Sequence, residues 1–290
     1  MDRFLFLVGT GVARGTVTAL FALSLVLIWR AARIVNFAAG AMAVVAAYVA
    51  VGVAHATGGW WWGALAGVVA GGLLGWLVER GVMRFATTPL GGVILAIGLV
   101  MVLQSALGIL VGPQYVPVAP PVSDRPWTVA GVPLGSPYDV LTVAVALGLM
   151  LGLRLLFTRT TLGLQLRASA FAPEVSRLLG VRVARMRTVA WVLASAVAAL
   201  AALLLLPTEL GLNPHATDAL FVLAFTVAVV GGLDSPGGAL VAGLGVGVLM
   251  SLVTGYLGAS ATPIAVLALL VVVLLVRPQG LVAGVEARRA

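Results

Sequence analysis

Hydrophobic positions along this chain come in long unbroken runs, separated by short polar or arginine-bearing joints. Nine runs can be marked, at 4–29, 34–54, 60–78, 89–111, 137–157, 188–206, 219–230, 238–257 and 263–276. Several reach the ~20 residues a helix needs to cross a bilayer, and the rest have the length of half-spans or tilted pieces. Only helices and closed barrels satisfy their backbone groups in lipid, and barrels need an alternation of apolar and polar positions that these runs lack. The pattern predicts an all-α, polytopic transmembrane bundle of about eight or nine spans, with a broken or re-entrant pair among the short runs. It reads as a single membrane domain over residues 1–290. The first run is not read as a signal peptide, because it follows Met1-Asp2-Arg3 and continues past the usual apolar length.

The joints add detail. The connection at 112–136 holds Pro113, Pro117, Pro120, Pro121, Pro126 and Pro133, which prevent helix and favour an extended cover. Trp60, Trp61 and Trp62 open the third run as an interfacial anchor. Inside that run Gly63, Gly67, Gly71 and Gly75 recur every fourth residue, and Gly243 and Gly247 do so in the eighth. Such faces let helix backbones approach closely in lipid, which predicts tight packing within the chain or, secondarily, a subunit interface. Arg14 interrupts the first run; a charge at mid-membrane is costly, so it is placed at the outer interface, with residues 2–11 lying on that surface.

Composition agrees with a membrane protein and narrows its chemistry. The chain is 62% hydrophobic and 9% charged, with mean hydropathy +1.17, far from the ~25% charged residues of soluble domains. There is no cysteine, which excludes disulfides and thiolate metal sites. There is also no lysine: all 17 basic side chains are arginine. A phosphate-binding loop of the G-x-x-x-x-G-K-[ST] type is therefore impossible here, and any ATP that drives this protein is hydrolysed by another chain. His55 and His215 sit alone at loop edges, and no catalytic or metal-ligating constellation emerges, so the chain is read as a non-enzyme without cofactor.

The net charge of +8 is no nucleic-acid footprint, because the arginines collect at run ends. Arg30 and Arg33 form one group, and Arg80 and Arg84 a second. Arg154, Arg159, Arg167, Arg177, Arg182, Arg185 and Arg187 form a third, and Arg277, Arg288 and Arg289 a fourth. The intervening loops hold Asp124, Asp139, Glu209 and Asp218. The positive-inside rule places the arginine groups in the cytoplasm, with the N-terminus outside and the C-terminus inside.

The longest charged joint, at 158–187, contains a short helix of its own at Pro173-Glu174-Val175-Ser176-Arg177-Leu178-Leu179-Gly180. Proline suits the first helical position, glutamate the positive N-terminal end, and glycine the left-handed position that closes the last turn. Val175, Leu178 and Leu179 fall on one apolar stripe. A helix this short needs a surface to dock on, which points to a cytoplasmic partner. Two other joints are candidates for a translocation path or helix break. Asn36 and Gly40 follow the first arginine pair, where a buried amide caps the next helix or lines a passage. Gly232, Asp234 and Ser235 divide two short runs, where Asp-Ser-Pro could cap the following helix or mark a discontinuous span.

Four segments in order resemble the permease subunits of branched-chain amino acid ABC importers (the LivH type), over almost the full length. They are residues 19–25 (Ala-Leu-Phe-Ala-Leu-Ser-Leu) leading into 33–40 (Arg-Ile-Val-Asn-Phe-Ala-Ala-Gly), and Arg167-Ala168 followed by 173–183. The others are 230–239 (Val-Gly-Gly-Leu-Asp-Ser-Pro-Gly-Gly-Ala) and 277–281 (Arg-Pro-Gln-Gly-Leu). The resemblance implies that residues 167–187 contact an ATP-binding subunit. It further implies a second permease subunit, homologous or identical, two nucleotide-binding ATPase subunits, an extracytoplasmic solute-binding protein and an inner-membrane location. The chain departs from the family pattern at Ala39 and Ala41, where relatives often carry His and an acidic residue, and at Asp234, where Gly is usual. Related permeases carry urea or short amides, which keeps another small polar solute open as the cargo. An ion-coupled secondary transporter would need ionisable residues near the midplane, and the acids here lie mostly at run ends.

Overall fold

A computed structural model describes residues 2–86, 88–129, 132–209, 211–277 and 280–281. Eight of its helices are long and apolar enough to cross a membrane. They belong to α1 (Asp2–Ala32), α2 (Ala39–Thr57), α3 (Trp60–Gly81) and α4 (Pro89–Leu110), then α5 (Pro137–Arg159), α8 (Val183–Leu205), α10 (Pro236–Leu257) and α11 (Thr262–Val276). Two short helices, α6 (Thr161–Phe171) and α7 (Pro173–Leu178), stand between α5 and α8. A ninth apolar helix, α9 (Asp218–Gly231), has 14 residues. At 1.5 Å per residue that is ~21 Å, too short to cross the ~30 Å hydrocarbon core upright. The protein is a polytopic helical membrane bundle.

Contacts divide the chain into two compact units, and α1 and α5 each contribute residues to both. One unit comprises residues 27–118 and 148–218. The fourfold glycine row of α3 organises it. A Cβ on Gly63 would lie 2.5 Å from the Ala50 carbonyl oxygen, and one on Gly67 would lie 2.8 Å from Ala50 Cβ and 2.9 Å from Leu203 Cδ1. Further along, a Cβ on Gly71 would meet Ala199 Cβ at 2.7 Å, and one on Gly75 the Trp191 carbonyl oxygen at 2.5 Å. The first half of α3 thus rests on α2 and the second half on α8, which runs antiparallel to it. Close intramolecular packing is what the glycine spacing predicts, and it is found.

The two ends of this unit differ in character. At one, Leu107, Leu203, Leu206 and Leu212 pack with Trp60 and Val116. There Val116 and Leu212 exchange backbone hydrogen bonds of 2.8 Å, tying the proline-rich connection to the segment before α9. At the other, Leu166, Met186 and Ala190 pack with Ala31, Phe157 and Leu162, gathering the arginine-bearing ends of α1, α5 and α8 around α6.

The second unit comprises residues 1–26, 119–147 and 219–290. The sequence expectation of a surface segment at 2–11 is corrected here. The helix α1 continues unbroken through Arg14, which is exposed. The reason is a second close-packed pair: a Cβ on Gly11 would lie 2.8 Å from Val248 Cα, and one on Gly15 2.7 Å from the Gly243 carbonyl oxygen. Packing against α10 thus holds the N-terminal turns in the helix. The connection at 112–136 is extended where its prolines demand it, but it also folds a short antiparallel hairpin, Trp127–Val129 with Val132–Gly135. Ser136 and Asp139 then cap α5 reciprocally: Asp139 N donates to Ser136 Oγ at 3.1 Å, and Ser136 N to Asp139 Oδ2 at 2.9 Å. Arg288, Arg289, Pro278 and Gln279 lie outside the described residues.

Candidate functional site

The charged joint is built as two helices, not one. Thr160 caps α6 by accepting a hydrogen bond from Gly163 N at 3.0 Å. Ala172 then breaks the chain direction, and Pro173 opens α7 with Glu174 in its first turn. The last helical residue is Leu178, and the helix closes through a complete Schellman motif with Gly180 in the left-handed position its sequence predicts. Val181 N donates to the Ser176 carbonyl at 2.9 Å, and Gly180 N donates to the Arg177 carbonyl at 3.0 Å. Gly180 adopts φ +82°, the left-handed geometry glycine tolerates best. Ser176 is buried, whereas Val175, Leu178 and Leu179 are 55%, 88% and 78% exposed. Glu174 and Arg177 are exposed as well. Six residues that expose Val175 and Leu178, with Leu179 exposed at the C-cap, are too few to hold a helix by length alone.

Behind this surface lies an open groove of about 960 Å³, lined by the end of α3 and the start of α8. Six arginines line it: Arg80, Arg84, Arg177, Arg182, Arg185 and Arg187. Among the described residues the one acid that lines it is Glu79, which is 2% exposed. Glu79 Oε1 accepts from Arg187 Nε at 2.8 Å, and Oε2 accepts from Thr188 Oγ1 at 2.6 Å. This buried carboxylate fastens α3 to the second turn of α8, next to the joint that carries α7.

Glu79 escaped the sequence reading, although a signal was there. The glycine row 63, 67, 71, 75 extended by one step lands on Glu79. The opposing row on α8, through Leu203, Ala199, Ser195 and Trp191, lands on Arg187. Because Glu79 is the buried member and Arg187 is 43% exposed, the two partners should not be equivalent. Replacing Arg187 with methionine leaves a buried carboxylate without its cation and should cost about 3 kcal/mol. Glu79→Gln keeps a hydrogen-bonding group in place and should cost about 1 kcal/mol. Denaturant unfolding of the purified variants measures the order; the reverse order would mean that the carboxylate is well solvated.

The remaining candidate residues serve their own joints. Asn36 is 1% exposed; its Oδ1 accepts from Ala38 N at 3.0 Å and its Nδ2 lies 3.7 Å from Met42 Sδ. It turns the chain from α1 into α2, where Gly40 is buried. Gly232 (φ +95°) follows the end of α9, and Ser235 Oγ caps α10 by accepting from Gly238 N at 3.0 Å, with Pro236 in the first turn. Asp234 is exposed beside them. The C-terminal segment docks here, where Leu281 N donates to the Val230 carbonyl at 2.7 Å. Asn36 and Gly40 belong to one compact unit, and Gly232, Asp234 and Ser235 to the other. His215 is not isolated as its sequence position implies: across the turn before α9 its Nδ1 lies 2.9 Å from Asp218 Oδ2, while Gln104 Nε2 donates to Asp218 Oδ1 at 2.9 Å.

Comparisons with known proteins bear on the family of this chain. The chain is 28% identical to the high-affinity branched-chain amino acid transport system permease protein LivH of Escherichia coli (strain K12), over 96% of this chain and 95% of that protein. It is 32% identical to the permease protein BraD of the corresponding Pseudomonas aeruginosa system, over 52% of this chain and 49% of that one. Among solved structures, PsaBC from Streptococcus pneumoniae in complex with Fab matches with a TM-score of 0.48 at 13% identity, covering 96% of this chain and 91% of that one. The family model described as branched-chain amino acid transport system / permease component matches residues 7–276, and the chain belongs to that family.

Proposed function

We propose that this chain is the membrane-spanning permease of an ATP-binding-cassette importer in an inner membrane, moving branched-chain or other amino acids handed over by an extracytoplasmic solute-binding protein. Residues 1–290 act as one permease domain, paired with a second permease subunit, identical or homologous. The arginine-bearing ends face the cytoplasm, with the N-terminus outside and the C-terminus inside, and the joint at 158–187 meets the ATPase subunits there. The observation that carries this reading is the exposed apolar stripe of Val175, Leu178 and Leu179 on α7, a short helix opened by Pro173 and closed by its Schellman motif, whose apolar surface gains stability when covered. Pro173, Glu174, Val175, Arg177, Leu178, Leu179 and Gly180 form the coupling element; Leu178 and Leu179 supply apolar contact, and Glu174 and Arg177 orient it by charge. ATP binding on the partner shifts the permease between states by pressing differently on this element in each. Asn36, Gly40, Gly232, Asp234 and Ser235 are proposed to mark where the helices break along the path.

The test is uptake of radiolabelled leucine by cells stripped of their own importers and supplied with this chain, its genomic neighbour ATPases and its binding protein. Accumulation should stop when the ATPase loses its catalytic residues and should survive a protonophore. Uptake that outlasts ATP depletion and collapses with the proton gradient would instead make the protein an ion-coupled carrier. Competition by urea or acetamide, but not by isoleucine or valine, would reassign the cargo to small amides.

A further inference from the structure

The arginine groove has more charge than fastening the helices requires. Among the described arginines Glu79 pairs with Arg187 only, and Arg80, Arg84, Arg177, Arg182 and Arg185 have no described carboxylate within ion-pair distance. All five are exposed. Five guanidinium groups around one concavity repel one another unless an anion sits among them. Arg177 and Gly180 of the coupling element line the groove, but its apolar side chains Val175, Leu178 and Leu179 do not.

The position of the groove narrows the anion. It lies where two packed membrane-crossing helices end, at the last turn of α3 and the first turn of α8. On α3 the glycine row faces α2 and α8. Leu73, Trp76, Leu77 and Arg80 recur at helical spacing on another face, and the three apolar residues are 58%, 41% and 53% exposed. Arg80 stacks over Trp76 at 5.6 Å, and Arg84 over the exposed ring of Phe85 at 4.6 Å. An apolar track therefore leads along the helix to an aromatic belt and ends at clustered arginines. That sequence of surfaces matches a lipid from its acyl chains to its headgroup.

We propose that this groove binds the phosphate headgroup of an anionic phospholipid, with the acyl chains lying along Leu73, Trp76 and Leu77. The site is independent of which solute the protein carries. Bound there, the lipid neutralises the arginines between α3 and the α7–α8 joint, so its occupancy stiffens the segment behind the coupling surface.

Native mass spectrometry of the full chain, purified in mild detergent with equal amounts of phosphatidylglycerol and phosphatidylcholine, tests this. Phosphatidylglycerol should be retained at least about fivefold over phosphatidylcholine. The combined variant Arg80→Gln/Arg84→Gln/Arg185→Gln should lose that preference, while Arg154→Gln/Arg159→Gln, equally basic positions outside the groove, should keep it. Equal retention of the two lipids by the wild-type chain would overturn the proposal, as would an unchanged preference in the triple variant. Millimolar inorganic phosphate should not displace the lipid; if it does, the site takes free phosphate and the lipid assignment fails. If the triple variant keeps its phosphatidylglycerol but no longer co-purifies with ATPase subunits, the arginines serve the protein partner and the proposal falls.

Discussion

Replacing Gly75 with valine should leave a chain that inserts but does not hold its native packing. A Cβ at this position would stand 2.5 Å from the Trp191 carbonyl oxygen and 2.6 Å from Ser195 Oγ. The first of these atoms is backbone in the middle of α8, so no rotamer change can make room for it. Either α3 and α8 separate along their whole shared length, or one of them rotates and takes Trp191, which is 1% exposed, out of its site. In lipid there is no hydrophobic gain from keeping the helices together, so close contact is most of what binds them. Overpacking of this kind costs about 1–3 kcal/mol where neighbours can yield, and more where they cannot. We expect a loss above about 3 kcal/mol here, read as a lower midpoint in denaturant unfolding of the purified chain. Gly245→Val is the control, because among the described residues nothing lies within 4 Å of a Cβ at that residue of α10. Equal stability of the two variants would show that the glycine row does not secure α3.

The same row explains how far the fold was legible. Four glycines at a spacing of four are visible in the sequence and predict a close-packed face. What the spacing does not say is which helices lie against it, and two of them share it. Nor did hydrophobicity alone draw attention to Glu79, a charged residue at the end of an apolar run, where an exposed position is the ordinary expectation. Only the phase of the row places it inward, with Arg187 in the matching phase on α8.

Other differences have equally local causes. At the start of the chain Arg14 is read as a boundary because a charge in lipid is expensive, yet one arginine on an exposed helix face breaks nothing while Gly11 and Gly15 hold the helix against α10. In the charged joint, α7 is legible because its signals are terminal: proline at the start, glycine in the left-handed conformation at the end. The preceding α6 is not. It carries Gly163 near its beginning, which argues against helix, although the residue is required there because a side chain would strike the backbone of Leu156 and Phe157. The hairpin at Trp127–Gly135 is concealed by prolines that favour extended chain of any kind.

The second large effect is expected at Leu178, and it separates folding from coupling. This side chain is 88% exposed and rests on nothing that the fold depends on. Leu178→Asp should therefore leave insertion, expression and unfolding within about 0.5 kcal/mol of wild type. Its effect should emerge only when the ATPase subunits bind. Covering a leucine is worth about 1.5–3 kcal/mol, and a buried aspartate without a cation costs more on top of losing that contact. The sum corresponds to a loss of at least about 100-fold in affinity, enough to remove the ATPase from a co-purified complex and to stop ATP-driven uptake. Leu178→Met should restore both, since methionine fills the same volume and adapts its shape. Glu174→Gln should weaken association far less, because an exposed charge at the rim acts mainly on encounter. Normal uptake and a normally assembled ATPase in Leu178→Asp would remove α7 as the point where work enters the permease, and the apolar stripe would need another occupant.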